Sequence, residues 1–125
     1  MYTVTIRKTF SAAHTITIGG VKETMHGHNF AVEISVASPE LDGEGVVIDF
    51  RKVKGHADAI LKEMDHSYLN DLVFFKTTPP TSEHIARHIF DRMEKALSND
   101  NVAVSQVTVW ESENARATYR RGARG

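Results

Sequence analysis

The sequence predicts a single α+β domain in the order β-β-α-α-β-β: a four-stranded antiparallel sheet with two helices on one face. Three observations predict it. Apolar and polar residues alternate near both ends of the chain. Two central stretches carry one-sided apolar stripes at helical spacing. Clusters of glycine, proline and asparagine separate these segments. With 125 residues, the chain has room for one hydrophobic core, so residues 1–125 are read as one domain.

Residues 2–10 are rich in β-branched and aromatic types, and Val4, Ile6 and Phe10 share one parity, as in a half-buried strand. Gly19 and Gly20 break the chain after a threonine- and isoleucine-rich stretch. From His28 the alternation resumes, with Phe30, Val32, Ile34 and Val36 facing one way and Glu33 and Ser35 the other. Pro39 and the run from Asp42 to Gly45 end that strand with turn chemistry. Asp49 reads as the N-cap of a helix reaching about residue 65, with Val53, Ala57, Ile60, Leu61 and Met64 as its buried stripe. Gly55 weakens its first turns. A loop through Asn70 and the Pro79-Pro80 pair lead to a second helix capped by Thr81 or Ser82, which buries Ile85, Ile89, Phe90, Met93 and Leu97. Ser98 to Asn101 break this helix. Residues 102–111 form a strand, and Arg116 to Arg121 a short final one. Such a sheet has two open edges, so edge-to-edge assembly of several copies is expected.

The composition excludes several function classes. Fifteen basic and sixteen acidic side chains give a formal net charge of -1, with no charged arm for nucleic acid. The one basic cluster, Arg116, Arg120, Arg121 and Arg124, reads as solvated surface or a subunit contact. There is no cysteine, hence neither disulfide nor thiol nucleophile. No run approaches the roughly 18 apolar residues of a membrane span, and Met1 leads directly into a strand pattern. The expectation is a cytoplasmic protein without membrane or nucleic-acid partners.

Three of the seven histidines form a pattern. His26 and His28, two residues apart at the start of a strand, point to the same side. Gly27 between them lets the backbone pass close to whatever they hold. His14 lies at the end of the first strand, where a hairpin-like return brings it beside them. Three neutral imidazoles are a recurrent catalytic zinc set with a fourth position open to water or substrate; the alternative is three ordinary loop residues. His56, His84 and His88 read as surface or boundary positions on helices.

Asp65 and His66 stand where the first helix should end. Adjacent residues on a regular helix do not face one another, so both can serve one site only if the helix stops here. An Asp holding an imidazole is a common acid/base device; the alternative is a histidine favoured by the helix C-terminus. Glu111 shares parity with Val107 and Val109, so its carboxylate points toward an apolar layer and needs a partner. That partner is either a planar heterocycle offering two parallel N–H donors or one of the late arginines.

Taken together, FSAAH at 10–14, HGHNF at 26–30, VVIDF at 46–50, DHSYLN at 65–70, PTSEHIA at 80–86 and VTVWE…ARATY at 107–119 strongly resemble the 6-pyruvoyltetrahydropterin synthase family, which includes the 6-carboxytetrahydropterin synthases. The resemblance spans almost the whole chain. It implies the tunnelling fold, in which trimers close a twelve-stranded barrel and often pair as hexamers. It also implies that His14, His26 and His28 bind Zn2+ and that Glu111 anchors a pterin ring. Thr81, Ser82 and Glu83 would contact substrate in sites built between subunits, and Asp65 and His66 would belong to the catalytic machinery of a lyase.

The chain departs from that pattern at one position. Members of the family carry a basic cysteine four residues before the first histidine of HGH, and Lys22 stands there. Glu23 follows, giving E-x-x-HGH, which resembles a subgroup using glutamate instead. In that subgroup 7,8-dihydroneopterin triphosphate is cut between side-chain carbons to give 6-hydroxymethyl-7,8-dihydropterin. The alternatives are a 6-carboxytetrahydropterin synthase-like enzyme, or a non-catalytic zinc protein that binds a pterin or purine while Lys22 and Glu23 are solvated loop residues.

Overall fold

A computed structural model describes residues 1–122; Arg124 of the basic cluster lies outside the described residues. The longest strands are β1 (Tyr2–His14) and β4 (His26–Ser38), joined by a small hairpin of β2 (Thr17–Ile18) and β3 (Val21–Lys22). Helix α1 (Phe50–Lys62) follows, then β5 (Ser67–Tyr68), two 3-10 turns, helix α2 (Ser82–Ala96), β6 (Ala103–Ser112) and β7 (Ala115–Arg120).

The main sheet has five strands in the order β5-β1-β4-β6-β7, and it is mixed. This corrects the expected four-stranded antiparallel sheet. The four long strands are antiparallel, but Ser67 and Tyr68 add a fifth, parallel to Ala12 and Ala13 on the outer edge of β1. The reason is local. Helix α1 ends at Lys62 rather than near 65, and the chain turns at His66, whose φ of 58° lies in the left-handed region. The peptide N–H of His66 then donates to the Ser11 carbonyl at 2.6 Å, so the chain enters the sheet edge directly.

The helices cap one face. Val53, Ala57, Ile60, Leu61 and Met64 of the first helical segment are buried, as are Ile85, Ile89, Phe90, Met93 and Leu97 of the second. They meet Ile6, Phe10, Phe30, Val32, Ile34, Val107 and Val109 from the sheet. Each of the large side chains contributes roughly 1.5–3 kcal/mol through burial. The opposite face is polar. Thr5 bonds Ser35 at 2.8 Å, Arg7 pairs with Glu33 at 3.1 Å, and Thr108 bonds Thr118 at 2.7 Å. No helix among the described residues is long and apolar enough to cross a membrane.

The caps agree with their sequence signals. The Asp49 carboxylate accepts the Arg51 N–H at 2.8 Å, and the Thr81 hydroxyl, rather than Ser82, accepts the His84 N–H at 3.2 Å. Each such cap contributes about 1 kcal/mol. The Asp42 turn closes as its composition requires: the carboxylate accepts the N–H groups of Glu44 and Val46, and Gly45 takes a φ of 81°.

Two stability effects follow from these contacts. Gly55 is exposed inside α1, and a Cβ there would meet nothing within 4 Å. Gly55→Ala is expected to stabilise the fold by about 0.5–1 kcal/mol, read as a midpoint raised by a few degrees in thermal denaturation. His88 is half-buried on α2, stacked on Phe74 with centroids 4.0 Å apart, and its Nε2 has no hydrogen-bond partner. Burial foremost, and then the nearby Arg92 guanidinium, push its pKa below the usual 6.5. The unfolded chain therefore takes up a proton at this site before the folded one does. Stability contributed by neutral His88 is present above about pH 6.5 and is lost as pH falls below it. His88→Phe is expected to flatten that acid-side loss relative to the parent in denaturant titrations between pH 7 and 5; parallel curves would contradict the assignment.

Candidate metal centre

The site is built on the β1–β4 ladder. Phe10 pairs with Phe30, Ala12 with His28 and His14 with His26, so all three imidazoles emerge on the core-facing side of two neighbouring strands. Directly beneath them the rings of Phe10 and Phe30 stack at 4.9 Å. Glu111 follows Trp110, which pairs with Ala31, and its carboxylate comes level with the histidine end of β4.

The donor atoms converge. One atom from each of His14, His26, His28 and Glu111 lies within 4.8 Å of every other, an arrangement that can hold a metal ion. His14 Nε2 is 3.1 Å from His26 Nε2 and 3.4 Å from Glu111 Oε1, while His28 Nε2 is 3.5 Å from the same oxygen. Ligands about 2.0–2.1 Å from a tetrahedral ion stand roughly 3.3–3.4 Å apart, close to these three separations.

The tautomers make the case on chemistry rather than distance. His14 is fully buried and its Nδ1–H donates to the Pro80 carbonyl at 2.8 Å. His26 Nδ1–H donates to the Thr24 carbonyl, also at 2.8 Å. A carbonyl can only accept, so in both neutral rings the proton is on Nδ1 and Nε2 carries a lone pair. Two lone pairs 3.1 Å apart repel unless a cation lies between them. His28 Nε2 is likewise buried without a hydrogen-bond partner. Burial is the main influence lowering the His28 pKa, with the Glu111 carboxylate opposing it and the two neighbouring imidazoles adding to it. The ring is thereby kept in the neutral, ligating form.

The other site residues expected from sequence are distributed unevenly. Thr81, Ser82 and Glu83 form the cap and first turn of α2, just after the Pro80 carbonyl that holds His14. Asp65 and His66 do face one another, because the helix stops before them: Asp65 Oδ2 is 3.0 Å from His66 Nδ1. The Ser11 N–H bonded to Asp65 at 2.9 Å is the first cause of its lowered pKa, so the carboxylate stays charged beside the ring. His66 and His28 line one groove of about 470 Å³, together with Ser11, Gly27 and Asn29. Glu23 is not in the donor cluster. It is exposed at the end of the β2–β3 hairpin, its N–H donating to the Ile16 carbonyl at 2.9 Å.

Glu111 has the His14 and His28 rings beside it, and of its two expected partners the late arginines do not reach it among the described residues. Arg116 instead lies over the Trp110 ring at 4.9 Å, and Arg121 pairs with Glu94. At Gly27 a Cβ would meet only the Ala12 carbonyl, at an ordinary 3.6 Å, so this chain's own packing does not demand a glycine there. Sequence reading missed the Asn70 clamp. Its side chain accepts the Thr15 N–H at 2.9 Å and donates to the Thr15 carbonyl at 2.8 Å, fixing the residue after His14.

A family model described as 6-pyruvoyl tetrahydropterin synthase matches residues 3–122. A Pyrococcus furiosus protein named dihydroneopterin monophosphate aldolase is 38% identical over 108 residues, covering 84% of this chain and 85% of that one. An Archaeoglobus fulgidus protein named as a putative 6-carboxy-5,6,7,8-tetrahydropterin synthase is 36% identical, covering 93% of each. The Caenorhabditis elegans 6-pyruvoyl tetrahydropterin synthase structure superposes with a TM-score of 0.81 at 28% identity, covering 98% of both chains.

The donor geometry sets a direct expectation. The parent protein should bind one divalent metal ion per chain, with zinc as the probe, and His26→Ala should weaken that binding about 100-fold or more, whereas Asp65→Asn should leave it intact. Competition against a chromophoric chelator measures both. Equal affinity in parent and His26→Ala would remove the cluster as the site.

Proposed function

Because this chain belongs to the 6-pyruvoyl tetrahydropterin synthase family, we propose that it is a zinc-dependent lyase acting on the side chain of a phosphorylated 7,8-dihydroneopterin. The product is 6-hydroxymethyl-7,8-dihydropterin. The observation that carries the reading is the set of three imidazole Nε2 atoms, two fixed as lone-pair donors by backbone carbonyls, gathered beside one carboxylate. Two features favour carbon–carbon cleavage over the family's other outcomes. The chain has no cysteine to act as base, and its Pyrococcus relative is named an aldolase of dihydroneopterin monophosphate.

Zn2+ held by His14, His26 and His28 would supply Lewis acidity to the hydroxyl oxygens of the substrate side chain. The chain's own groups do the rest. Glu111 accepts the paired N–H donors of the pterin ring, and Thr81, Ser82 and Glu83 line the ring's edge. Glu23, on a short hairpin, removes the proton from the 2′-hydroxyl. The bond between C1′ and C2′ breaks, C2′ leaves as an aldehyde, and the electron pair stays on C1′ in conjugation with the ring. His66, held by ionised Asp65, returns a proton to C1′. The reaction needs no oxidant and no added water.

The sites are proposed to complete themselves by assembly into a trimer or a dimer of trimers. Two observations favour this: β7 offers an open edge, and β1 is covered by β5 only at Ala12 and Ala13. One observation favours a second reading, a 6-carboxytetrahydropterin synthase-like reaction: the long match to the Archaeoglobus protein of that name.

Mass spectrometry of the products from dihydroneopterin monophosphate and triphosphate decides between them. A hydroxymethylpterin with a phosphorylated two-carbon aldehyde is expected; a carboxy product would establish the second reading, and untouched substrate at stoichiometric enzyme would end both. Glu23→Ala is expected to lower kcat by about 100-fold or more at unchanged zinc content, since general base catalysis is worth 10²–10⁴. Glu111→Ala should weaken pterin binding with zinc retained; loss of zinc instead would make Glu111 a ligand rather than the anchor.

A further inference from the structure

Ser11 holds three groups at once. Its backbone N–H donates to Asp65 Oδ1 at 2.9 Å, and its carbonyl accepts the His66 N–H at 2.6 Å. Its hydroxyl reaches across the β1–β4 ladder to Asn29, its partner in register, with Ser11 Oγ 2.6 Å from Asn29 Oδ1. One residue therefore fixes the Asp65–His66 pair and the Asn29 amide relative to each other.

The length of the last bond orients the amide. O–H···O bonds run about 2.5–3.0 Å and N–H···O bonds about 2.7–3.2 Å. A contact of 2.6 Å therefore identifies the amide oxygen, not its nitrogen, as the atom facing Ser11. The hydroxyl donates and the oxygen accepts. The two N–H donors on Nδ2 have no protein partner among the described residues, and the side chain is exposed.

Asn29 is also the one residue shared by the linings of two grooves. The first, of about 470 Å³, contains His66 and Ser67; the second, of about 610 Å³, contains Trp110 and Glu111. A ligand with its ring at Glu111 and a side-chain carbon at His66 passes the Asn29 amide on the way. Uncharged N–H donors suit a neutral oxygen acceptor. Beside an imidazole that delivers a proton to carbon, the nearest such acceptor is the oxygen bonded to that carbon.

We propose that Asn29 is a specificity-determining residue: its Nδ2–H donates to the 1′-hydroxyl oxygen of the pterin side chain, while Ser11 keeps it in register with His66. The inference rests on the lyase reading above for its ligand, and on the bonds of Ser11 for its geometry. The contact holds C1′ before the imidazole. It also disfavours a pterin without oxygen at that carbon, which leaves the amide donors unpaired in the closed site.

The experiment compares the zinc-loaded parent, Asn29→Asp and Asn29→Ala by calorimetry. Each is titrated with 6-hydroxymethyl-7,8-dihydropterin and with 7,8-dihydropterin, which lacks the side chain. Asn29→Asp keeps the acceptor for Ser11 and removes both N–H donors; its added charge acts on both pterins and cancels in their ratio. The parent should prefer the hydroxymethyl compound, and both variants should lose about fivefold or more of that preference, the worth of a neutral hydrogen bond. A preference kept in either variant overturns the proposal; kept in Asn29→Asp alone, it would make Asn29 only a tie between strands. A parent that binds both pterins equally overturns it too. A parent that binds neither overturns it together with the lyase reading. Binding with the expected ratios but no turnover of phosphorylated dihydroneopterin removes the lyase reading alone, and the ratios then support the contact.

Discussion

The structure depends above all on the register between β1 and β4. Thirteen consecutive pairs run from Tyr2 with Ser38 to His14 with His26, and the same faces that carry Ile6, Phe10, Phe30 and Ile34 into the core carry the imidazoles at its rim. A slip of one residue would turn every side chain of a strand to the other face. It would expose the phenylalanines and separate His14 from His26 in one step. Core packing therefore enforces the donor geometry: the hydrophobic free energy of the Phe10–Phe30 stack holds the pairing that gathers the imidazoles.

The second constraint comes from outside the ladder. A strand fixes where an imidazole sits, but not which nitrogen carries the proton. Here the Pro80 and Thr24 carbonyls make that choice for His14 and His26. Pro80 opens the approach to α2, and Thr24 ends the β2–β3 hairpin. These neighbours bind the first turn of α2, with Thr81, Ser82 and Glu83, and the loop with Glu23 to the donor cluster through single hydrogen bonds. A shift of either loop would be felt as a rotated or re-protonated ligand.

These features differ in how far they are written in local sequence. The long strands and both helices are legible because periods of 2 and 3.6 act within a few residues, and Asp49 and Thr81 mark their starts. The Asp42–Gly45 turn is equally local. β5 is invisible to such reading: two residues have no period, and they become a strand only because β1 offers an open edge at Ala12 and Ala13. The facing of Asp65 and His66 was conditional in the sequence on the helix stopping, and the left-handed turn at His66 supplies that condition. For Glu111, parity gave its direction, but its partners required the β4–β6 pairing to be known.

This division between strand and loop bears on how the reaction could change while the metal set does not. His14, His26 and His28 lie on strands whose displacement would disrupt the core, so they are held by the stability of the whole domain. Lys22 and Glu23 lie at the end of a two-residue hairpin, exposed and linked to the rest by little more than the Glu23 N–H to the Ile16 carbonyl. Exchanging exposed residues at such a place would disturb little packing and need not move the histidines or the carbonyls that hold them. In the proposed reaction such an exchange would alter the base presented to the substrate, and a carboxylate in solvent is a weak base unless the closed site removes its water. The exposure of Glu23 in an isolated chain is thus consistent with the proposed chemistry on one condition. In the proposed reaction either a neighbouring subunit or the bound pterin itself has to cover the hairpin, so the base would reach its working strength only when the site is closed over it.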